Sequence, residues 1–149
     1  MERTRMERDV YLQSAEAHCE RLGCKLTALR RRVLELVLEY DGVVKAYQVL
    51  ADLQKERGVA APPTVYRALD FLVEQGLLHR VDALNGFVVC NHFECSHESL
   101  ILVCEDCGRV EELDAGQGLA AVRDAAGAVA FNIKPQNLVL AGTCRACHA

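Results

Sequence analysis

Two Cys-x-x-Cys pairs constrain the fold of this 149-residue chain more than any other feature. The first pair is Cys104 and Cys107, and the second, Cys144 and Cys147, follows after 36 intervening residues. A two-residue gap allows both sulfurs of a pair to bind one ion, and four thiolates suit a tetrahedral structural zinc site. The sequence therefore predicts that a zinc ion ties together the two ends of a small C-terminal domain. Such a closed site leaves no open position for catalysis.

Composition bounds the compartment and the class of protein. The N-terminal stretch MERTRMERDV is charged and lacks the apolar segment of a secretory signal, and no run of 18 apolar residues predicts a membrane span. We therefore expect a cytoplasmic protein whose eight cysteines are reduced and serve metal binding rather than disulfides. The alternative for the four paired cysteines is that they are buried free thiols.

Charge is distributed unevenly along the chain. Residues 1–80 carry 13 Lys/Arg and 12 Asp/Glu, whereas residues 81–149 carry 4 and 9. Any basic surface for nucleic acid must therefore come from the first half. The acidic second half suits a cation or a protein partner rather than a phosphate backbone.

Four amphipathic helices are predicted in the first half from the three- and four-residue spacing of apolar side chains. Thr27 suits the N-cap of the second helix, and Pro62 suits the first turn of the fourth. In the first helix, the spacing predicts one apolar face that includes Val10 and Leu22. In the second, it leaves Arg30 and Arg31 toward solvent. The predicted helices cover residues 8–22, 28–40, about 45–57, and 62 to about 75.

A hairpin is predicted directly after the fourth helix. Asn85-Gly86 lies between two apolar runs, and this dipeptide favours a two-residue β-turn. Short helices followed by a hairpin predict a winged helix-turn-helix, whose fourth helix is presented to the major groove of DNA. With Asn85-Gly86 as the turn, the expected cross-strand pairs are Leu84 with Phe87, Val81 with Cys90, and His79 with His92.

This register predicts a second metal site on the hairpin. His79 and Cys90 are then diagonal neighbours on one face, within about 7–8 Å at the backbone. Farther along, Glu112 and Glu111 point to opposite faces of a predicted strand over 109–113. The pairing supports His79 and Cys90 as ligands, and weakly supports Glu112. The alternative is that His79 is a surface residue of the wing and Glu112 is a solvated charge.

The second half of the chain predicts a small α/β domain. Strands are expected over 99–104, 109–113, 129–133 and 137–142, with a helix over 114–126. The complete prediction is an α+β fold in three parts: a winged helix-turn-helix DNA-binding domain at 1–84, a hinge at 85–95, and a dimerisation and metal-binding domain with the four-cysteine zinc site at 96–149.

Four stretches of this sequence are distinctive in combination. They are PPTVYRALDFL at 62–72, CNHFECSHES at 90–99, CEDCG at 104–108 and CRAC at 144–147. Together they resemble the ferric uptake regulator (Fur) family, and the first two are similar to its zinc uptake branch. The resemblance covers about residues 19–147. It implies a dimeric winged-helix repressor that binds operator DNA when a regulatory metal is bound.

The same resemblance implies a regulatory metal site. A set of one thiolate, two imidazoles and one carboxylate favours zinc over iron or manganese. We therefore expect a zinc sensor with about two zinc ions per subunit. The ligands that the resemblance implies are His79, Cys90, His97 and Glu112.

Other potential ligands leave alternatives open. His92 either replaces one of the four regulatory ligands or helps to bind a third ion with Cys95, or both are hinge residues only. Cys19 and Cys24 are about 140° apart around a helix and are not expected to converge. His18 is expected to be exposed.

The predicted DNA contacts lie mainly on the third and fourth helices. Arg67 can read guanine through two hydrogen bonds, and Tyr66 can contact a phosphate or a thymine methyl group. For Arg31 and Arg32, a solvated charge is the favoured interpretation. The expected DNA-binding residues are Lys45, Tyr47, Thr64, Tyr66, Arg67 and Arg30.

These features predict a zinc-responsive repressor of zinc-uptake genes that acts as a homodimer on double-stranded operator DNA, away from membranes. In this hypothesis, ligands from both domains fix the angle between the two DNA-reading heads. One alternative is an iron or peroxide sensor on the same fold. Another is a thiol redox switch, in which Cys90 and Cys95, or one of the Cys-x-x-Cys pairs, form a disulfide. A zinc-ribbon interaction module without DNA binding is a third. An enzyme is least expected, because the sequence shows no nucleophile–base pair.

Overall fold

The computed structural model describes residues 3–58, 60–94, 99–114, 116–133 and 138–148. The chain forms two compact units, Met1–Glu94 and Cys95–Ala149. Helices and strands occur in both units, which confirms the α+β prediction. Within the described ranges, no helix is long and apolar enough to cross a membrane.

The N-terminal unit has the elements of the predicted winged helix-turn-helix. Its three strands form one antiparallel sheet in the order β1-β3-β2. Residues 86–89, which fall in the predicted hinge, form a strand of this sheet. The helices are α1 Arg5–Arg21, α2 Ala28–Glu39, α3 Ala46–Arg57 and α4 Pro62–Glu74, and the strands are β1 Val44–Lys45, β2 Leu78–Val81 and β3 Gly86–Val89.

Local chemistry explains where the helices begin. The Thr27 hydroxyl accepts a hydrogen bond from the Arg30 backbone N–H at 3.3 Å, which confirms it as the N-cap of α2. Pro62 opens α4, as predicted, where its missing N–H costs no helical hydrogen bond. The side of α4 that packs against the core carries Val65, Ala68, Leu69 and Leu72.

The apolar face of α1 differs from the prediction. Leu12, Ala15 and Cys19 are buried, but Val10 and Leu22 are 58 % and 55 % exposed. Val10 points away because the face follows the spacing of the three buried residues, and Leu22 lies beyond the last helical turn as the C-cap. The predicted stripe was therefore too broad at both ends.

A Schellman motif after α1 corrects the prediction for two cysteines. Gly23 has a φ of +73°, and the Cys24 N–H donates to the Cys19 carbonyl at 3.0 Å. This reversal folds Cys24 back over the helix end, so that its thiol lies 3.4 Å from the same carbonyl oxygen. Burial, with the nearby Cys24 thiol, raises the pKa of Cys19 to about 11. The two residues converge, although a regular helix would separate them.

The hairpin has a longer turn than predicted. Residues Asp82–Leu84 form a single 3-10 turn, and Asn85 adopts a left-handed conformation with a φ of 49°. Because this turn occupies 82–85, the strands pair in a different register, and the predicted pairs are wrong. The observed partners are Leu78 with Val89, His79 with Val88, Arg80 with Phe87, and Val81 with Gly86.

The C-terminal unit contains a second three-stranded sheet, in the order β5-β4-β6. β4 and β5 are antiparallel, whereas β4 and β6 are parallel. The strands are β4 Ser99–Cys104, β5 Val110–Asp114 and β6 Leu138–Gly142, and the helices are α5 Gly116–Gly127 and α6 Arg145–His148.

The strand predicted over 129–133 is wrong. After α5 the chain turns sharply, with a left-handed Ala130 and a hydrogen bond of 3.0 Å from the Phe131 N–H to the Ala126 carbonyl. Val129 and Phe131 are 77 % and 66 % exposed within this chain. Their apolar character suggested a strand, but the backbone hydrogen bonds of this segment extend the helix end instead.

Candidate metal centres and nucleic-acid interface

The four-cysteine cluster lies where β4 and β6 end. The two strands are parallel, so they end at the same edge of the sheet, with Cys104 opposite Gly142. The first pair then occupies a turn in which the Gly108 N–H donates to the Cys104 carbonyl at 2.9 Å. In the second pair, the Cys147 N–H donates to the Cys144 carbonyl at 3.0 Å. Each Cys-x-x-Cys pair is therefore placed by the strand that precedes it.

The geometry of this cluster fits a tetrahedral zinc ion. The four sulfurs of Cys104, Cys107, Cys144 and Cys147 all lie within 4.8 Å of one another. The sulfurs of Cys107 and Cys144 are 3.7 Å apart. Four sulfurs at about 2.3 Å from a central zinc would be about 3.8 Å apart, so the cluster has the size that the ion requires.

The electrostatics of the cluster also suit a cation. The backbone N–H of Cys144 donates to the Cys104 sulfur at 3.3 Å. This hydrogen bond, with those from Cys107 and Asp106, lowers the pKa of Cys104 to about 6. The thiols of Cys144, Cys107 and Cys104 raise the pKa of Cys147 to about 12. A cation bound among the sulfurs would offset the repulsion that raises the pKa of Cys147.

His79 and Cys90, in the N-terminal unit, bring together a second pair of side chains that could bind a metal ion. The two residues are 8 % and 4 % exposed, which contradicts the interpretation of His79 as a surface residue. Their ligand atoms lie within 4.8 Å of each other. His79 pairs with Val88, and Cys90 lies two residues farther along on the same face. The predicted diagonal relationship is kept, although the register is not.

Glu112 lies on β5 of the C-terminal unit, opposite Ile101. It is half-buried, and its carboxylate accepts a hydrogen bond of 2.9 Å from the hydroxyl of buried Ser99. Glu111 points the other way, as predicted, and pairs with Arg109 at 2.7 Å. This contact of Ser99 could not be predicted, since nothing in the sequence distinguishes a lone serine in a buried strand. Ligation by Glu112 stays a prediction.

The structure describes only one of the three remaining potential ligands, His92. His97 and Cys95 lie outside the described residues. His92 is exposed in the turn after β3, and among the described residues it belongs to neither ligand cluster. His18 is half-buried rather than exposed, because its Nε2 lies 2.9 Å from the Gln75 carbonyl oxygen and its ring packs against Phe93.

The predicted DNA-contacting residues of α3 and α4 are mostly exposed. Tyr47 and Tyr66 are large side chains that are 63 % and 48 % exposed. Thr64 and Arg67 are exposed at the start of α4, on the sides that do not face the core, and Lys45 is exposed directly before α3. This surface suits groove and phosphate contacts, and the individual contacts stay predictions.

Arginines of α2 are engaged within the protein. Arg30 packs its guanidinium 3.7 Å from the centre of the Phe71 ring and donates to the Lys25 carbonyl at 2.8 Å, so it does not simply point to solvent. Arg31 pairs with Glu16 and Glu35. A DNA contact by Arg30 stays a prediction and requires rearrangement of these interactions.

The sequence and the fold of this chain are similar to those of known proteins. The profile of the ferric uptake regulator family matches residues 21–141. The chain is 37 % identical to the zinc uptake regulation protein of Escherichia coli (strain K12), over 91 % of this chain and 80 % of that protein. It is 30 % identical to the ferric uptake regulation protein of the same organism, over 84 % of each chain. The solved structure of a zinc uptake regulator complexed with zinc and DNA matches with a TM-score of 0.86 at 35 % identity, covering 98 % of this chain and 97 % of that one.

Proposed function

The chain belongs to the ferric uptake regulator family, and from this membership we propose that it is a zinc-responsive transcriptional regulator. In this proposal, the zinc-loaded homodimer binds operator DNA and represses zinc-uptake genes. When zinc is scarce, the dimer releases the operator. The protein would act in the cytoplasm as a regulator and not as an enzyme.

The observation that carries the proposal is the buried pair of His79 and Cys90. A thiolate and an imidazole are soft to intermediate ligands, which favour zinc over iron or manganese. Burial keeps water away from a charged ligand group, so a thiolate there is strongly stabilised by a bound cation. This ligand chemistry argues against an iron or peroxide sensor, which would use more oxygen and nitrogen ligands.

Two zinc ions per subunit are proposed, with different roles. Cys104, Cys107, Cys144 and Cys147 would hold the first as a closed structural site. His79 and Cys90 would hold the second, for which His97 and Glu112 are the predicted remaining ligands. Zinc would supply a positive charge and a fixed coordination geometry, and the residues that bind it would be held rigidly in place.

The second set of ligands would couple zinc to DNA binding. Two of these residues precede residue 95 and two follow it, so that holding one ion would order the DNA-reading part of each subunit. Half-sites on DNA are spaced by about one helical turn or multiples of it, and a dimer must match that spacing. If zinc orders the protein before DNA binds, the protein loses less conformational entropy when it binds DNA. By linkage, DNA should tighten zinc binding by the same factor.

This proposal is tested by measuring DNA affinity at controlled free zinc. Duplexes are first selected from a random-sequence pool by the zinc-loaded protein, and their affinity is followed by fluorescence anisotropy. We expect binding to selected duplexes that is lost when a chelator removes zinc and recovered when zinc is restored. Affinity that is the same in zinc and in chelator would refute a zinc-responsive regulator.

A further inference from the structure

The backbone around Cys90 has an unusual arrangement at the last rung of the hairpin. The Cys90 N–H donates to the Leu77 carbonyl at 2.9 Å, as in a regular antiparallel pair. The reciprocal bond would run from the Leu77 N–H to the Cys90 carbonyl. Instead, the Leu77 N–H donates to the Leu72 carbonyl oxygen at 2.9 Å. This hydrogen bond completes the C-terminal cap of α4.

A side chain of α1 supplies the donor for the Cys90 carbonyl. The Tyr11 hydroxyl lies 2.8 Å from the Cys90 carbonyl oxygen and 3.1 Å from that of Leu77. Tyr11 is half-buried, so this hydrogen bond is partly protected from water. The position of Cys90 thus depends on a helix more than 70 residues earlier in the chain, as well as on its own hairpin.

The same face of α1 also holds the residues that follow Cys90. The ring of Phe93 packs edge-on against Tyr11, with centroids 5.1 Å apart, and against His18 at the same distance. The Arg3 side chain, just before α1, donates to Asn91. The chain is therefore fixed to the first 18 residues at three successive points, which are Cys90, Asn91 and Phe93.

We propose that Tyr11 is a positioning residue for the zinc site, which it serves by fixing the Cys90 backbone while Phe93 holds the chain on the far side. A thiolate ligand must reach the ion within a few tenths of an ångström, and a backbone held at both sides supplies that precision. This inference rests on the proposed zinc site at His79 and Cys90. It adds to that site a residue that acts through the backbone of Cys90.

The test compares two tyrosine-to-phenylalanine variants in the same unit. Tyr11→Phe removes the hydroxyl and keeps the ring against Phe93. Tyr40→Phe is the matched control, since it removes a half-buried hydroxyl that donates to Asp52, between α2 and α3. Zinc affinity of the second site is measured by competition with a chromophoric chelator, on protein whose structural site is already filled.

A spectroscopic signal separates positioning from general stability. With zinc in the structural site, Co²⁺ added to the second site shows a thiolate-to-metal absorption band if Cys90 is bound. We expect Tyr11→Phe to lower the zinc affinity of the second site by about three- to tenfold and to alter this absorption band. Tyr40→Phe should leave both unchanged, even where thermal unfolding shows an equal loss of stability. Phe93→Leu, which keeps the Tyr11 hydroxyl, should also lower the zinc affinity of the second site.

The outcomes separate this inference from the proposed function. The positioning role alone would be overturned if Tyr11→Phe matched the wild type in zinc affinity and in the Co²⁺ absorption band. It would also be overturned if Tyr11→Phe lost no more zinc affinity than Tyr40→Phe. A wild-type protein that shows the Cys90 band but binds DNA independently of zinc would refute the regulator and leave the positioning role intact. A wild-type protein without any Cys90 band would overturn both.

Discussion

His79 and Cys90 lie diagonally across the β2–β3 hairpin, with their ligand atoms within 4.8 Å of each other. The pair is buried in a unit that also carries α4, the predicted recognition helix. The proposed sensing site is therefore built on the wing itself. Small changes in the hairpin should consequently affect zinc binding and DNA binding together.

Replacing the sulfur of this pair should uncouple zinc from DNA. We predict that Cys90→Ser remains a folded dimer, because serine is nearly the same size, but loses zinc-dependent DNA binding. Anisotropy with selected duplexes measures the coupling, and sedimentation measures the dimer. Cys24→Ser is the control, since this half-buried thiol in the same unit belongs to neither ligand cluster among the described residues. Unaltered zinc dependence in Cys90→Ser would remove this residue from the sensor.

The four-cysteine cluster should behave as a structural element. We predict that Cys104→Ser loses one zinc per subunit and, with it, the folded C-terminal unit or the dimer, because three thiolates no longer close the tetrahedron. Native mass spectrometry gives the metal content and the oligomeric state, and thermal unfolding gives the stability. A variant that stays a stable, DNA-binding dimer would show that this cluster does not have a structural role.

Arg67 should contribute to DNA specificity through its exposed position on α4. We predict that Arg67→Ala weakens binding to selected duplexes by about 1–3 kcal/mol if it reads a base. Arg21→Ala removes one positive charge from the exposed end of α1 and serves as the control for net charge. Equal, small losses in both variants would show that Arg67 acts only as a distant charge.

Gly86 should be required for the attachment of the wing. A Cβ atom at this position would lie 2.4 Å from a side-chain methyl of Val43 and 2.9 Å from the Val44 carbonyl oxygen. We therefore predict that Gly86→Ala lowers the free energy of unfolding by about 1–3 kcal/mol, because β1 must move. Gly118→Ala is the control. Among the described residues, no atom outside the local helix backbone lies within 4 Å of a Cβ at this position, and α5 should gain up to about 1 kcal/mol of stability. Chemical denaturation measures the free energy of unfolding of both variants. An unchanged value in Gly86→Ala would contradict the close approach of Gly86 to Val43 and Val44.

Helical periodicity and capping residues predicted much of the N-terminal unit. Thr27 and Pro62 marked helix starts because their chemistry is local, and local chemistry can be read from neighbouring residues. The hairpin register could not be read in the same way, because Asn85-Gly86 is compatible with more than one turn. The structure uses Asn85 for the left-handed position and Gly86 for its contact with β1.

The predicted placement of His79 and Cys90 on one face of the hairpin is correct although the predicted register is wrong, and the reason is physical. The observed pairing differs from the expected one by an even number of residues, and side chains of a strand alternate with a period of two. Both residues therefore kept their face. Tyr11, by contrast, carried no signal, since its contact with Cys90 depends on the tertiary packing of α1.

The cysteine spacing predicted which residues form the four-cysteine cluster but not how the fold brings them together. Two Cys-x-x-Cys pairs indicate a shared ion, yet their separation does not say how the strands bring them together. The parallel pairing of β4 with β6 does so, and the sequence between them included a predicted strand, 129–133, that does not form.

The most direct test of the account is the metal selectivity of DNA binding. Affinity for selected duplexes is measured by anisotropy in buffered Zn²⁺, Fe²⁺ and Mn²⁺, with iron kept reduced under anaerobic conditions and zinc already in the structural site. We predict that Zn²⁺ activates DNA binding at free concentrations far below those needed for Fe²⁺ or Mn²⁺, because His79 and Cys90 prefer it. Activation by Fe²⁺ or Mn²⁺ at lower free concentrations than Zn²⁺ would contradict a zinc sensor.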